Sequence, residues 1–199
     1  ETLNRSFSQV SRQLAEVYKG LGEMQTLAAG VGDLKKVLSN VKTRGILGEI
    51  QLGAILQELL SPDQYAENIA TRPGSTQRVE FALKLPGDGE QPVWMPIDAK
   101  YPADAYEALL DAYDTADPAQ VDAAAKELDR RVRSFAKDIH DKYIEPPATT
   151  DFGVMFLPVE GLYAEVVRRG TAQRIQQDYK VVVAGPTTMS ALLNSLQMG

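Results

Sequence analysis

Apolar positions recur along this chain with more than one period, and each change of period marks an element. Leu3, Phe7, Val10, Leu14, Val17, Leu21, Met24, Ala28 and Val31 alternate spacings of four and three, the stripe of a coiled coil or helical hairpin. Gly30 and Gly32 interrupt it, and Leu34, Leu38 and Val41 resume out of phase, as a stammer or a break between helices requires. Such a stripe serves homo-oligomerisation and packing on the chain's own domain equally well. A helical pattern returns from Ile46 to Leu60, with Glu49 in its first half, and stops before Ser61-Pro62.

The period then drops to two. Val79-Glu80-Phe81-Ala82-Leu83-Lys84-Leu85 and Val93-Trp94-Met95-Pro96-Ile97-Asp98-Ala99-Lys100 flank Gly87-Asp88-Gly89, which reads as a hairpin tip. A hairpin symmetric about Gly89 sets Glu80 opposite Asp98. Its odd face then carries Val79, Phe81, Leu83 and Leu85 against Val93, Met95, Ile97 and Ala99, and its even face Arg78, Glu80, Lys84, Asp98 and Lys100. Pro96 argues for an edge or a bulge, since proline donates no ladder hydrogen bond. Helices follow from Ala103 to Ala116 and from Pro118 to Tyr143. From Asp151 the pattern is strand (Phe152 to Leu157), helix (Leu162 to Arg169), short helix to Asp178, strand (Lys180 to Ala184) and helix (Thr187 to Gln197). These predict an α/β fold, a mixed sheet flanked by helices.

Composition narrows the chemistry. The absence of cysteine excludes thiolate metal sites, and a single histidine, His140, in 199 residues argues against a His-based zinc site or a Ser-His-Asp triad. The formal charge of −6 makes any nucleic-acid contact a local patch rather than a global attraction. No run reaches the roughly eighteen apolar residues of a membrane span. A chain without an initiator methionine that stops at Gln197-Met198-Gly199 reads as a fragment of something longer.

Two features carry candidate chemistry. Asp98 and Lys100, two apart on a strand, share a face. Residues directly opposite on antiparallel strands have Cβ atoms about 4.5–5.5 Å apart, close enough for Glu80 and Asp98 to share one divalent cation. The competing reading, favoured for an arbitrary hairpin, is a half-exposed ribbon with a charged outer face. On the long helix, Leu128, Val132, Phe135, Ile139 and Tyr143 form an apolar stripe. Lys126, Arg130, Arg133 and Lys137 lie roughly 200° away. Glu127, Asp129, Asp138 and Asp141 flank that cationic line, so a solvated surface is the ordinary reading. As an ordered row, Arg130, Arg133 and Lys137 are the candidates for DNA phosphate contacts. Gly185-Pro186-Thr187-Thr188 at a helix start lacks the lysine-bearing phosphate loop and reads as a cap.

A helix with Glu49, a strand with Glu80 and a strand with Asp98-Ala99-Lys100, in that order and followed by helix and strand, resembles the PD-(D/E)xK nuclease superfamily. More closely, Arg44-Gly45-Ile46-Leu47-Gly48-Glu49, Pro96-Ile97-Asp98-Ala99-Lys100, Asp141-Lys142-Tyr143-Ile144, Phe156-Leu157-Pro158-Val159-Glu160-Gly161-Leu162-Tyr163-Ala164-Glu165 and Val182-Val183-Ala184-Gly185-Pro186-Thr187-Thr188 resemble the RmuC family of bacterial DNA recombination proteins. The resemblance implies a restriction-endonuclease-like core in residues 41–199, preceded by a coiled-coil segment in residues 1–40. It also implies a cytoplasmic location in a bacterium, an N-terminal anchor that would hold the full-length protein at the inner face of the membrane, DNA as partner and a role in limiting rearrangement at inverted repeats. Carried over residue by residue, Glu49, Glu80, Asp98 and Lys100 form the implied catalytic set. Glu80 and Asp98 would hold Mg²⁺ or Mn²⁺, Glu49 would add a ligand or position water, and Lys100 would orient water or stabilise phosphate charge. Glu80 stands where the superfamily usually has aspartate, and Asp98 where glutamate is frequent; both keep oxygen ligands. The alternative is a catalytically inactive DNA-binding or scaffold protein, because nuclease-like folds host both.

Overall fold

The computed structural model describes residues 41–197. The predicted coiled coil of residues 1–40 lies outside the described residues. Within them the chain runs α1 (Val41–Leu59), β1 (Tyr65–Ile69), β2 (Val79–Leu85), β3 (Val93–Ala99), α2 (Ala103–Thr115), α3 (Pro118–Tyr143), β4 (Gly153–Phe156), α4 (Glu160–Arg168), α5 (Thr171–Tyr179), β5 (Val181–Ala184) and α6 (Pro186–Gln197). The sheet order follows the chain, β1-β2-β3-β4-β5. The first three strands are antiparallel neighbours and the last two are added parallel, giving the mixed α/β sheet. No described helix is long and apolar enough to cross a membrane.

The β2–β3 register pairs Phe81 with Ile97, Leu83 with Met95 and Leu85 with Val93, so symmetry about Gly89 holds. Pro96 pairs with Ala82 inside this unbroken ladder, and β3 is the central strand. The irregularity that proline demands lies on the other side. Trp94 N donates to Ala148 O at 3.1 Å and Lys100 N to Phe156 O at 2.9 Å, so these backbone donors point toward β4. Between the Trp94–Thr149 bridge and the Ile97–Val154 pair, the β4 side carries two more residues than β3. Pro96 sits at that offset, where a donor is dispensable.

Helices cover both faces. The odd-numbered face packs Phe81, Leu83, Met95 and Ile97, with Val154 and Phe156, on Leu52 and Leu56 of α1 and Met189 and Leu193 of α6. The other packs Ala82, Met155 and Val183 on α2 to α5 through Tyr106, Leu109, Leu128, Val132, Ile139, Leu162 and Ile175. The half-exposed ribbon is therefore corrected at one end of the hairpin: the even face around Asp98, 3% exposed, is covered, while Lys84 toward the tip stays exposed. Asp117 starts α3 by accepting Ala119 N at 2.9 Å, with Pro118 in the first turn. The edge strand β1 has no counterpart in the sequence reading, since Tyr65-Ala66-Glu67-Asn68-Ile69 shows no clean alternation.

Candidate active site

Three elements converge where β3 ends. One further step of the β2–β3 register sets Glu80 across from Asp98, and the Ala99 amide donates to Glu80 Oε2 at 2.9 Å, locking that side chain toward β3. Lys100 Nζ lies 3.0 Å from Asp98 Oδ2. From the opposite layer, α1 reaches this end of the sheet through Gly48, where a Cβ would stand 3.5 Å from Pro158 Cγ and 3.7 Å from Ala99 Cβ. A methyl fits that gap and little more does. The next residue, Glu49, approaches closely enough for its carboxyl to add to the upward push on Glu80. Arg44, on the same helix, pairs with Glu107 at 2.9 Å and Asp104 at 3.6 Å, tying α1 to α2.

The C-terminal half of α3 roofs the site with residues the sequence reading placed in the stripe or left unused. Lys100 Nζ lies 5.6 Å from the centre of the Phe135 ring. Asp138 acts on Lys100, and Lys142 on Asp98. Tyr143 faces Asp98 and Glu80; burial first, then these carboxylates, push its hydroxyl up to about 12. Thr71 Oγ1 donates to Tyr143 O at 2.7 Å and Arg72 to Asp141 O, so the β1–β2 connection clasps this end of the helix. The signal for this roof was the Asp141-Lys142-Tyr143-Ile144 segment, which spacing alone did not link to Asp98.

Electrostatically the site is short of positive charge. Burial, then the Asp98 charge, pushes the Glu80 carboxyl up to about 9, against the pull of the Ala99 amide. Burial pushes Asp98 up as well, opposed by Lys100. Because the ammonium is bonded to Asp98, the proton of the pair rests on Glu80. Burial alone would lower Lys100, but Asp98 and Glu80 outweigh it, so Lys100 is a fixed cation at neutral pH and not a base.

A hard divalent ion fits this donor set. The carboxylates offer oxygen ligands only, and a second cation would discharge the proton that burial and repulsion force onto Glu80. Among the described residues, no three histidine, aspartate or glutamate side chains form a ready metal cage. Mg²⁺ is commonly held by one or two carboxylates and completes its shell with water and phosphate oxygens.

The structure does not bring the cationic row of α3 to the site as a free row. Arg130 pairs with Glu127 at 2.8 Å, Arg133 with Asp178 at 3.3 Å, and Lys137 with Asp141. His140 leans on Tyr179 instead, the ring centres 6.5 Å apart. The Gly185-Pro186-Thr187-Thr188 turn is a closed cap: Thr187 N donates to Glu160 Oε1 at 2.7 Å and Gly185 N to Thr188 Oγ1 at 2.6 Å.

Two relatives, each a "DNA recombination protein RmuC homolog" of Xylella fastidiosa, from strains Temecula1 and 9a5c, are 56% identical over 200 residues, covering 99% of this chain and 44% of their own. The chain thus spans under half the length of the curated relatives it matches. No solved structure matches it. The model of the RmuC family matches residues 1–199, and with that coverage this chain belongs to the RmuC family.

Proposed function

We propose that this chain carries a metal-dependent DNA nuclease centre, with Glu49, Glu80, Asp98 and Lys100 as its working set, in a restriction-endonuclease-like core. The supporting observation is the carboxylate pair on adjacent strands, Asp98 buried and Glu80 half-buried, with one lysine on its face and a third carboxyl arriving from α1. Mg²⁺ or Mn²⁺ held by Glu80 and Asp98, when bound, supplies positive charge at the scissile phosphate and acidifies the attacking water. The rest falls to the chain. Lys100, held by Asp98, points its ammonium at a nonbridging phosphate oxygen and gains strength as negative charge builds there. Glu49, exposed at the mouth, orients the water. The water oxygen forms a bond to phosphorus and releases a proton to solvent, the bond to the sugar oxygen breaks, and that oxygen leaves with a proton from solvent. Arg130, Arg133 and Lys137, each paired with an acid of the chain, would contact phosphates away from the scissile bond by exchanging that partner for them. The relatives' printed name refers to DNA recombination, and limiting rearrangement at inverted repeats is the role we assign to the activity.

The test incubates the protein with single-stranded, double-stranded and hairpin DNA in Mg²⁺, Mn²⁺ or chelator, beside Glu49→Gln, Asp98→Asn and Lys100→Ala. Metal-dependent cleavage by the parent, lost in all three folded variants, is the expected result. Cleavage at the parental rate by folded Asp98→Asn and Lys100→Ala would assign it elsewhere. A second reading, a catalytically silent DNA-binding or coiled-coil scaffold, is favoured by one observation: Lys100 already neutralises Asp98 at 3.0 Å. Mn²⁺ relaxation of site protons separates the two, since a scaffold needs no ion between Glu80 and Asp98.

A further inference from the structure

The lysines and arginines of the described residues divide by partner. Most are held by carboxylates of the chain, but Arg78, Lys84, Lys142 and Lys180 make no ion pair among the described residues. Lys84, across from Trp94, stands toward the hairpin tip, and Lys180 immediately precedes β5, so both lie at the end of the sheet away from the carboxylates. Arg78 and Lys142 lie at the carboxylate end.

Lys142 is placed there by its helix. Phe135, Asp138 and Lys142 follow one another at spacings of three and four, so they share a face of α3, and the Phe135 ring on that face lies 5.6 Å from the Lys100 ammonium. Lys142 stands ~10 Å further along the same face. The backbone is pinned on both sides of it, because Thr71 Oγ1 donates to Tyr143 O at 2.7 Å and Arg72 donates to Asp141 O. The side chain is half-buried, and Asp138, one turn back, leaves it unpaired.

The connection that pins Lys142 ends at Arg78, which is exposed and enters β2 two residues before Glu80. Its Nη1 donates to Asn68 O at 2.7 Å, and Asn68 falls between the Glu67–Phe81 and Ile69–Val79 pairs, across from Glu80. The guanidinium therefore stands on the β1 side of Glu80, about one strand spacing (~5 Å) from its backbone. A carbonyl takes one of its donors and none of its charge.

Neither cation is spent on the carboxylates between them. Lys100 already holds Asp98 at 3.0 Å, and Glu80 keeps a proton. What Arg78 and Lys142 lack is an anion, and with Lys100 they spread positive charge across one site mouth. A lone phosphate meets a single such charge, whereas a phosphodiester chain, negative at every nucleotide, meets them together.

We infer that Arg78 and Lys142 form a phosphate clamp on the DNA strand, each taking a backbone phosphate next to the scissile one and leaving Lys100 for the scissile phosphate itself; which phosphate Lys100 meets rests on the nuclease reading. Phosphate contacts carry no sequence information, so the clamp fixes the position of the strand and accepts any sequence.

The test measures affinity for single-stranded and duplex DNA across a salt series in chelator, where the DNA stays intact, and follows cleavage in Mg²⁺ or Mn²⁺ in parallel. It compares the parent with Arg78→Gln, Lys142→Gln, their double variant and Lys142→Arg. Lys84→Gln and Lys180→Gln remove the same charge at the far end of the sheet; melting curves confirm folding. The log–log salt slope should fall by about 0.7 on single strands, or about 0.9 on duplex, in Arg78→Gln and in Lys142→Gln, and by the sum in the double variant. Lys142→Arg and both far-end variants should keep the parental slope. A merely structural role for Lys142 would lower the melting temperature and leave the slope unmoved, which would overturn the clamp. An equal fall in the far-end variants would overturn it too, by assigning the effect to net charge. Cleavage by the parent, with the parental slope in the folded double variant, would leave the nuclease standing and remove the clamp. A reduced slope with no cleavage by the parent in either metal would retain the clamp as a DNA contact and remove the nuclease.

Discussion

Glu80→Gln turns the charge deficit of the site into a measurable stability difference. In the folded protein the Glu80 carboxyl sits at about 9, against an ordinary value of 4.5. Between those values the folded state holds a proton that the unfolded state has released. The contribution is therefore full below about 4.5 and is lost as pH rises through about 9, at up to ~1.4 kcal/mol per pH unit. Glutamine mimics the protonated form: its carbonyl still accepts the Ala99 amide, and its amide group donates toward Asp98 and Glu49. The parent should thus lose stability from pH 5 to 9 without metal, and Glu80→Gln should lose less, keeping only the share that the raised Asp98 contributes. For a domain of this size ~1 kcal/mol corresponds to about 2–4 °C in melting temperature. Glu127, held near 2 by Arg130 and Arg131, and Tyr143, near 12, titrate outside the window, so they do not mask the difference. Melting in a constant-ionic-strength series, with and without Mg²⁺, reads it directly. Mg²⁺ should stabilise the parent more at higher pH, where less proton must be displaced, and leave Glu80→Gln unmoved. Parallel parent and variant profiles would refute the reasoning, because they would mean that Glu80 carries no unusual proton.

Other residues give sharper local tests. Lys100→Ala strands Asp98, whose side chain is 4% exposed, and should cost up to about 3 kcal/mol in urea unfolding, below the range for a fully buried pair because Lys100 is itself 30% exposed; a cost under about 0.5 kcal/mol would show that water replaces the ammonium. Neutralising Arg130, Arg133 and Lys137 together should weaken DNA binding and flatten its salt dependence by up to about 0.9 per contact in log–log slope, and superimposable plots for parent and variant would return this row to solvent. Gly161→Ala drives a methyl into the Tyr106 hydroxyl and should destabilise by about 1–3 kcal/mol; Tyr106→Phe should restore most of the loss, and failure of that rescue would place the clash elsewhere.

Much of this arrangement is legible in the order of residues, for identifiable reasons. A two-residue period with a glycine-rich tip determines register, so Glu80, Asp98 and Lys100 can be placed on one face from spacing alone. The long α3 runs from Pro118 to Tyr143 because capping chemistry marks its start and its apolar stripe persists to its end. Spacing cannot say what covers a polar face, and so the burial of Asp98 beneath α3 was invisible until tertiary packing supplied it. Nor can it show which ions are spent: Arg130 and Lys137 meet acids one turn away on their own helix, but the partner of Arg133 is Asp178 on α5. The family segments divide likewise. Glu49 and Asp98 belong to the site, while Glu160 caps α6 and Glu165 gathers Arg168, Arg169 and the Tyr113 hydroxyl.

A chain with net charge −6 that pairs its long-helix cations with its own acids has little positive charge to spare for DNA. In an ordinary basic DNA-binding protein, divalent ions compete for the phosphates and weaken association. Here the largest local need for positive charge is at Glu80 and Asp98, beside the place assigned to the scissile phosphate. An ion bound there cancels repulsion between protein carboxylates and nucleic acid at once. On the nuclease reading, Mg²⁺ at low ionic strength should first tighten DNA binding, through the site, and only at higher concentration loosen it, through screening. Glu80→Gln removes one ligand and one charge, and so should abolish the tightening limb while preserving the loosening one. A scaffold that grips DNA through exposed arginines alone has only the second limb, in parent and variant alike.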